Sequence, residues 1–212
     1  MYRKRKVKIK WSSPFAYVIG IITTDGNLSI DGRHINITSK DREMLLKSKL
    51  CLGINNKIGR KARGGSKDKK YYVLQFGDIN FYEFLLKIGL MPTKSKKLTS
   101  LKIPLKYFPD FFRGCIDGDG TIILANHPES KHKQLRLRLY SASLDFVSWM
   151  MIKIKKLAKC KGGWIYSTKK KSIHAICFGK EDSIKIIRFM YYDGVEYYLH
   201  RKYAIAKKYM GE

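Results

Sequence analysis

The chain has 212 residues, 44% of them hydrophobic, enough to bury the core of one large domain or of two small ones fused tightly. Lys and Arg number 44 against 17 Asp and Glu, a formal net charge of +27. Self-repulsion at that charge costs stability, so a polyanionic partner is expected, and nucleic acid is the first candidate. A membrane partner is not expected, because no apolar run reaches the length of a transmembrane helix and no segment reads as an amphipathic surface anchor. Cys51, Cys115, Cys160 and Cys177 form no CxxC pair and no zinc spacing with histidine, so they read as reduced thiols of an intracellular protein. The basic residues 1–10 are followed by no secretory apolar core.

In chain order, residues 15–26 read as an apolar helix with one internal glycine, Gly20, ended by Asp25-Gly26. A hairpin follows, with strands over 27–30 and 33–38 around an Asp31-Gly32 turn. Ser39 then leads into a helix over 44–52. A second hairpin, 57–63 with 71–76, precedes a helix near 81–88. The whole series then recurs. Residues 110–120 form a helix with an internal glycine, Gly114, ended by Asp119-Gly120. Strands follow over 121–125 and 134–140, then Ser141, a helix over 146–157, a hairpin of 164–169 with 173–178, and a helix near 183–190. The fold class is therefore α/β of the α+β kind, two αββαββα repeats. The expected division is a basic tail over 1–13, a first half over 14–104 and a second half over 105–212. No Gly/Ser-rich linker separates the halves.

The stretches Val18-Ile19-Gly20-Ile21-Ile22-Thr23-Thr24-Asp25-Gly26 and Phe112-Arg113-Gly114-Cys115-Ile116-Asp117-Gly118-Asp119-Gly120 resemble the motif of the LAGLIDADG homing endonucleases. One copy alone reads as a helix stop. Two copies, each followed by the same order of strand, turn, strand, serine and helix, carry the resemblance over nearly the whole chain from Pro14. It implies a pseudo-symmetric monomer, with paired motif helices at the centre and two antiparallel sheets forming a DNA-binding saddle.

The physics of the two motifs agrees. Small residues at Gly20 and Gly114 let two helices approach closely, which would bring Asp25 and Asp119 together at their C-terminal ends. Two close carboxylates repel each other unless a cation lies between them. Oxygen ligands favour a hard divalent ion, Mg²⁺ or another such as Mn²⁺. The helix ends add free carbonyls and a favourable dipole. The resemblance further implies that the main-chain carbonyls of Thr24 and Gly118 join the metal ligands. It gives Lys94 and Lys202 as the basic residues beside the two metals, with Lys96 and Arg201 as neighbouring alternatives. Ser39 and Ser141 match a water-organising position, and a turn or helix-cap role fits them equally. The earlier acid of the motif is present as Asp117, read as structural or capping, and replaced by Thr23 in the first copy.

Strand parity points to the DNA-reading surface. In 134–140 three leucines face one side, while Gln134, Arg136, Arg138 and Tyr140 face the other. The first hairpin contributes Asn27, Ser29, His34 and Asn36, and the second hairpins contribute Lys57, Lys61, Arg63, Trp164, Tyr166 and Thr168. A two-stranded ribbon fits the major groove, where Arg pairs with guanine. The lysine runs 67–70 and 169–171 read as hairpin tips on phosphate.

Together these imply a sequence-specific double-strand DNA endonuclease, cutting phosphodiester bonds at a long, non-palindromic target. The alternative is a non-catalytic nucleic-acid binder on the same fold, either a maturase for its own intron RNA or a DNA-binding regulator. An intein-embedded nuclease is disfavoured, because residues of a splicing domain are lacking. HNH and GIY-YIG nucleases match poorly, because the five histidines form no such cluster.

Overall fold

Ser12 opens the first helix: its hydroxyl accepts the Phe15 N–H, and Pro14 occupies the first turn, where its missing N–H costs nothing. The computed structural model describes residues 6–62, 68–127, 130–170 and 172–211, with main chain alone at 127 and 130–132. Arg63, Lys67 and Lys171 of the sequence reading lie outside the described residues, as does the start of the basic tail.

The described chain runs α1 (Ser13–Asp25), β1 (Gly26–Leu28), β2 (His34–Ser39), α2 (Arg42–Leu52), β3 (Ile58–Lys61), β4 (Tyr71–Gly77) and α3 (Ile79–Lys87). It repeats as α4 (Phe108–Asp119), β5 (Gly120–His127), β6 (Ser130–Ser141), α5 (Leu144–Leu157), β7 (Trp164–Ser167), β8 (His174–Phe178) and α6 (Lys180–Met190). The αββαββα order holds in both halves. A seventh helix, α7 (His200–Ala206), follows the second repeat. It escaped the sequence reading because its polar and apolar residues show no sustained helical stripe.

Each repeat makes a four-stranded antiparallel sheet of the same order, β1-β2-β4-β3 and β5-β6-β8-β7. Alternation explains how each sheet lies on its helices. Ile35 and Ile37 of β2 are buried, as are Leu135, Leu137 and Leu139 of β6, and the residues between them face outward. By packing, the chain forms two compact units. One takes in Lys94 and everything described before it, together with Leu101–Gly118; the other takes in Ser95–Ser100 and everything from Asp119 onward. The start of α4 therefore opens the second repeat in sequence but packs in the first unit.

In the first unit, Trp11, Phe15, Phe76, Phe81 and Phe84 form a cluster of edge-on and stacked rings beneath the sheet. Asp78 caps α3 by accepting the Phe81 N–H at 3.0 Å, and it also accepts the N–H groups of Lys6 and Val7 at 2.7 and 2.9 Å. From Lys6 onward the N-terminal segment is thus tied down. Among the described residues, no helix is long and apolar enough to cross a membrane. Among the described residues, none of the four cysteines is in a disulfide.

Candidate functional site

Helix α1 is buried continuously from Phe15 to Thr23. A helix apolar on all sides needs neighbours on all sides, and one of these neighbours is α4. A methyl group added at Gly20 would sit 2.2 Å from the Phe111 carbonyl oxygen and 2.9 Å from the Gly114 Cα. At Gly114 it would sit 2.1 Å from the Tyr17 carbonyl oxygen. The two backbones touch, so glycine is required on both helices. The Cys115 thiol completes the contact by donating to the Gly20 carbonyl at 3.7 Å.

Four buried polar side chains lock this pair. The Tyr17 hydroxyl donates to Asp117 at 2.9 Å. Burial, and then the charge of Asp117, push the Tyr17 hydroxyl well above the usual tyrosine range, so it stays protonated and remains a donor. Arg113 pairs with Asp110 at 2.7 Å, both almost fully buried, and its guanidinium stacks 5.5 Å from the Tyr17 ring centre. Thr23, by contrast, bonds back to its own helix at the Ile19 carbonyl, 2.8 Å away.

At the end of α1, the Thr24 hydroxyl donates to the Ile21 carbonyl at 3.1 Å, and Asp25 is half-buried. Gly118 lies against both: a Cβ there would be 2.0 Å from the Thr24 hydroxyl oxygen and 2.8 Å from an Asp25 carboxylate oxygen. The next residue, Asp119, is exposed and begins the second unit. A buried lysine follows each motif. The Lys94 ammonium donates to the carbonyl of Gly26, directly after Asp25. The Lys202 ammonium donates to the carbonyl of Gly120, directly after Asp119, at 2.7 Å. Lys94 and Lys202 are only 7% and 3% exposed, whereas Lys96 and Arg201 are exposed.

Each helix end by itself offers hard oxygens, a carboxylate and main-chain carbonyls, the chemistry that a hard divalent cation favours. Among the described residues, no three His, Cys, Asp or Glu side chains cluster. The hydroxyl oxygens of Ser39 and Ser141 each accept an N–H two residues on, from Asp41 and Ser143, both at 3.1 Å. Both serines therefore turn the chain into the next helix, while Asp41 and Ser143 take the N-cap positions.

The outward sheet faces hold the residues that strand parity picks out. Asn27 and Asn36 are paired across β1 and β2. Ser29 lies just beyond β1, and Lys57 lies just before β3, exposed like Lys61. His34 is held by Asp31 of the hairpin turn. On the second sheet, Arg138 stands between Thr121 and Cys177, and Arg136 stands opposite Ile123. A hydrogen bond to Tyr140 on the same face raises Arg138 above the usual arginine value, against burial. Gln134 and Tyr140 lie on this face half-buried, while Trp164 and Tyr166 at the β7 edge are 48% and 54% exposed. The Thr168 hydroxyl closes the next turn, accepting the Ser172 and Ile173 N–H groups at 3.3 Å. Register adds residues that parity alone missed: Gln75, opposite Asn36, and Val73, opposite Thr38. The run 71–76 has apolar residues on both faces and so hides its alternation, which only the pairing reveals.

Residues 12–89 match the family model described as a LAGLIDADG-like domain. Solved structures extend the likeness to the rest of the chain. Meganuclease I-SmaMI bound to uncleavable DNA superposes with a TM-score of 0.62 at 16% identity, covering 99% of this chain and 90% of that one. I-DmoI in complex with DNA and Mn gives 0.57 at 16% identity, covering 86% and 98%. Full-length DUF199/WhiA from Thermatoga maritima gives 0.55 at 12% identity, covering 95% and 63%. At these identities the likeness is one of fold: the chain has the fold of the LAGLIDADG homing endonucleases. No curated protein sequence matches it.

Proposed function

We propose that the chain is a divalent-metal-dependent endonuclease that cuts double-stranded DNA at a long, non-palindromic site and acts as a monomer. The observation that carries this reading is the doubled arrangement at the helix ends. Each motif Asp is followed by a glycine whose carbonyl holds a buried lysine ammonium. Helix stops need no buried cation, and burying one costs free energy unless it is used.

In this reading Asp25 and Asp119 hold the metal with the carbonyls of Thr24 and Gly118. A bound divalent cation such as Mg²⁺ or Mn²⁺ supplies Lewis-acid chemistry, lowering the pKa of water and stabilising the leaving oxygen. Lys94 and Lys202 favour the negative charge that builds on the phosphate oxygens. The Ser39 and Ser141 oxygens accept their turn bonds, which leaves each O–H to order water. Arg136 and Arg138 read guanine, and the lysines at 169–170 meet phosphate. The +27 charge supplies the salt-dependent part of binding.

Asp25→Asn and Asp119→Asn should each lower double-strand cutting by at least about a thousand-fold while duplex binding persists. Gel assays of cleavage and fluorescence anisotropy of binding, on a duplex selected by the chain itself, check both halves of the statement. Full cutting by either variant overturns the metal assignment. A second reading, a DNA-binding regulator without cleavage, is favoured by a likeness to the N-terminal LAGLIDADG domain of DUF199/WhiA, which covers 97% of this chain and 98% of that one. Tight binding to a selected duplex with no cutting in Mg²⁺ or Mn²⁺ would establish that reading instead.

A further inference from the structure

The outward face of the first sheet differs in chemistry from that of the second. Asn27 of β1 is paired with Asn36 of β2, and Asn36 with Gln75 of β4, so three carboxamides stand in one row across three strands. Asn27 and Gln75 are exposed and Asn36 is half-buried. Among the described residues these three side-chain amides hold no hydrogen-bond partner; the Asn56 amide bonds to the Gln75 main-chain carbonyl, at 2.8 Å, and not to its side chain. The next row sets Thr38 opposite Val73, two side chains that offer methyl groups. The described strands of this sheet carry no arginine on that face, and its cations, Lys57 and Lys61, stand at the β3 edge. The second sheet instead places Arg136 and Arg138 at its middle.

A carboxamide sets one donor beside one acceptor. That pattern matches the N6 donor and N7 acceptor of adenine in the major groove, whereas guanine shows two acceptors there and satisfies an amide only halfway. Thymine adds a methyl group that side chains such as Thr and Val can meet. Neighbouring strands lie ~4.8 Å apart, so the row of three spans ~10 Å, about three base steps at ~3.4 Å each.

We propose that the first sheet reads a block of A·T pairs, with Asn27, Asn36 and Gln75 contacting adenine and Thr38 and Val73 contacting thymine methyls. This rests on the DNA-binding reading above and adds to it the base class of one half-site.

The test is selection of the full chain on a fully randomised duplex library in EDTA, so that nothing is cut, followed by sequencing of the bound fraction. The expected result is a run of A·T positions in one half-site. Gln75→Ala should lower the preference at one of those positions about 10-fold or more, within the range of a bidentate base contact. Gln75→Arg should convert the same position to guanine. The other half-site, unchanged in both variants, reports that the fold is intact. If the position that responds to Gln75 is G·C in the parent, or if Gln75→Arg leaves every position unchanged, the inference is overturned and the DNA-binding reading stands. Binding that enriches no sequence has the same meaning. Absence of duplex binding overturns both.

Discussion

Helices α1 and α4 touch through equivalent glycines and end in the same Asp-Gly step, yet their polar side chains differ in a paired way. Helix α4 carries Asp110, Arg113 and Asp117, where α1 has Ala16, Ile19 and Thr23. Helix α1 carries Tyr17 where α4 has Phe111. The phenol of α1 serves the acid of α4. At the equivalent pair both members are changed at once: phenylalanine offers no donor, and threonine satisfies its hydroxyl within its own helix. A buried carboxylate without a donor is costly, so losing one partner removes the reason for keeping the other. The ends that would do chemistry are duplicated, while the contacts that hold the helices together are free to diverge in pairs.

The largest expected effect lies at the helix ends. If each unit serves one strand, Lys94→Met should slow cutting of one strand by about a hundred-fold, and Lys202→Met should slow the other strand by a similar factor. Strand-resolved gels read this ratio within one population, so a loss of folded protein does not mimic it. Equal slowing of both strands by either variant would show that the two lysines do not act separately.

Next comes the ion pair that only α4 possesses. Arg113→Leu leaves Asp110 buried without its cation and should cost about 3–5 kcal/mol in denaturant unfolding. Ile19→Leu, at the equivalent position of α1, should cost under ~1.5 kcal/mol.

A smaller effect is expected at the Tyr17–Asp117 pair. Tyr17→Phe should cost ~1–3 kcal/mol by removing the donor to Asp117. Thr23→Asp alone should destabilise, and adding Phe111→Tyr should recover part of that loss by rebuilding the missing pair. A double-mutant cycle with no coupling between positions 23 and 111 would contradict the pairwise account.

The smallest effect concerns the tip of the first hairpin. A hydrogen bond from the His34 side chain, and then one from its backbone N–H, lower the Asp31 carboxyl to about 2. Because the folded value lies below the unfolded one, its contribution to stability is present above the ordinary carboxylate range and is lost as pH falls through about 2. NMR titration should find Asp31 titrating near 2, and in His34→Ala its titration should move up toward the ordinary range.

Much of this was legible in the sequence. The repeated helix-glycine-Asp-Gly pattern predicted two αββαββα halves, and both are present. Alternation of leucine and arginine in 134–140 placed Arg136 and Arg138 on the outward face. Period two is a local property, readable without knowing any partner. The Asp31-Gly32 turn was legible for the same reason.

Tertiary structure decided whatever depends on pairing between distant residues. No local signal tells that Tyr17 donates to Asp117, that α4 packs in the first unit although it opens the second repeat, or that Gln75 stands beside Asn36. The same holds for the two lysines. Lys94 and Lys96 look alike as a sequence, and so do Arg201 and Lys202. Only the folded chain buries Lys94 against Gly26 and Lys202 against Gly120, because burial and carbonyl contact arise from chain segments brought together across 68 and 82 positions of sequence.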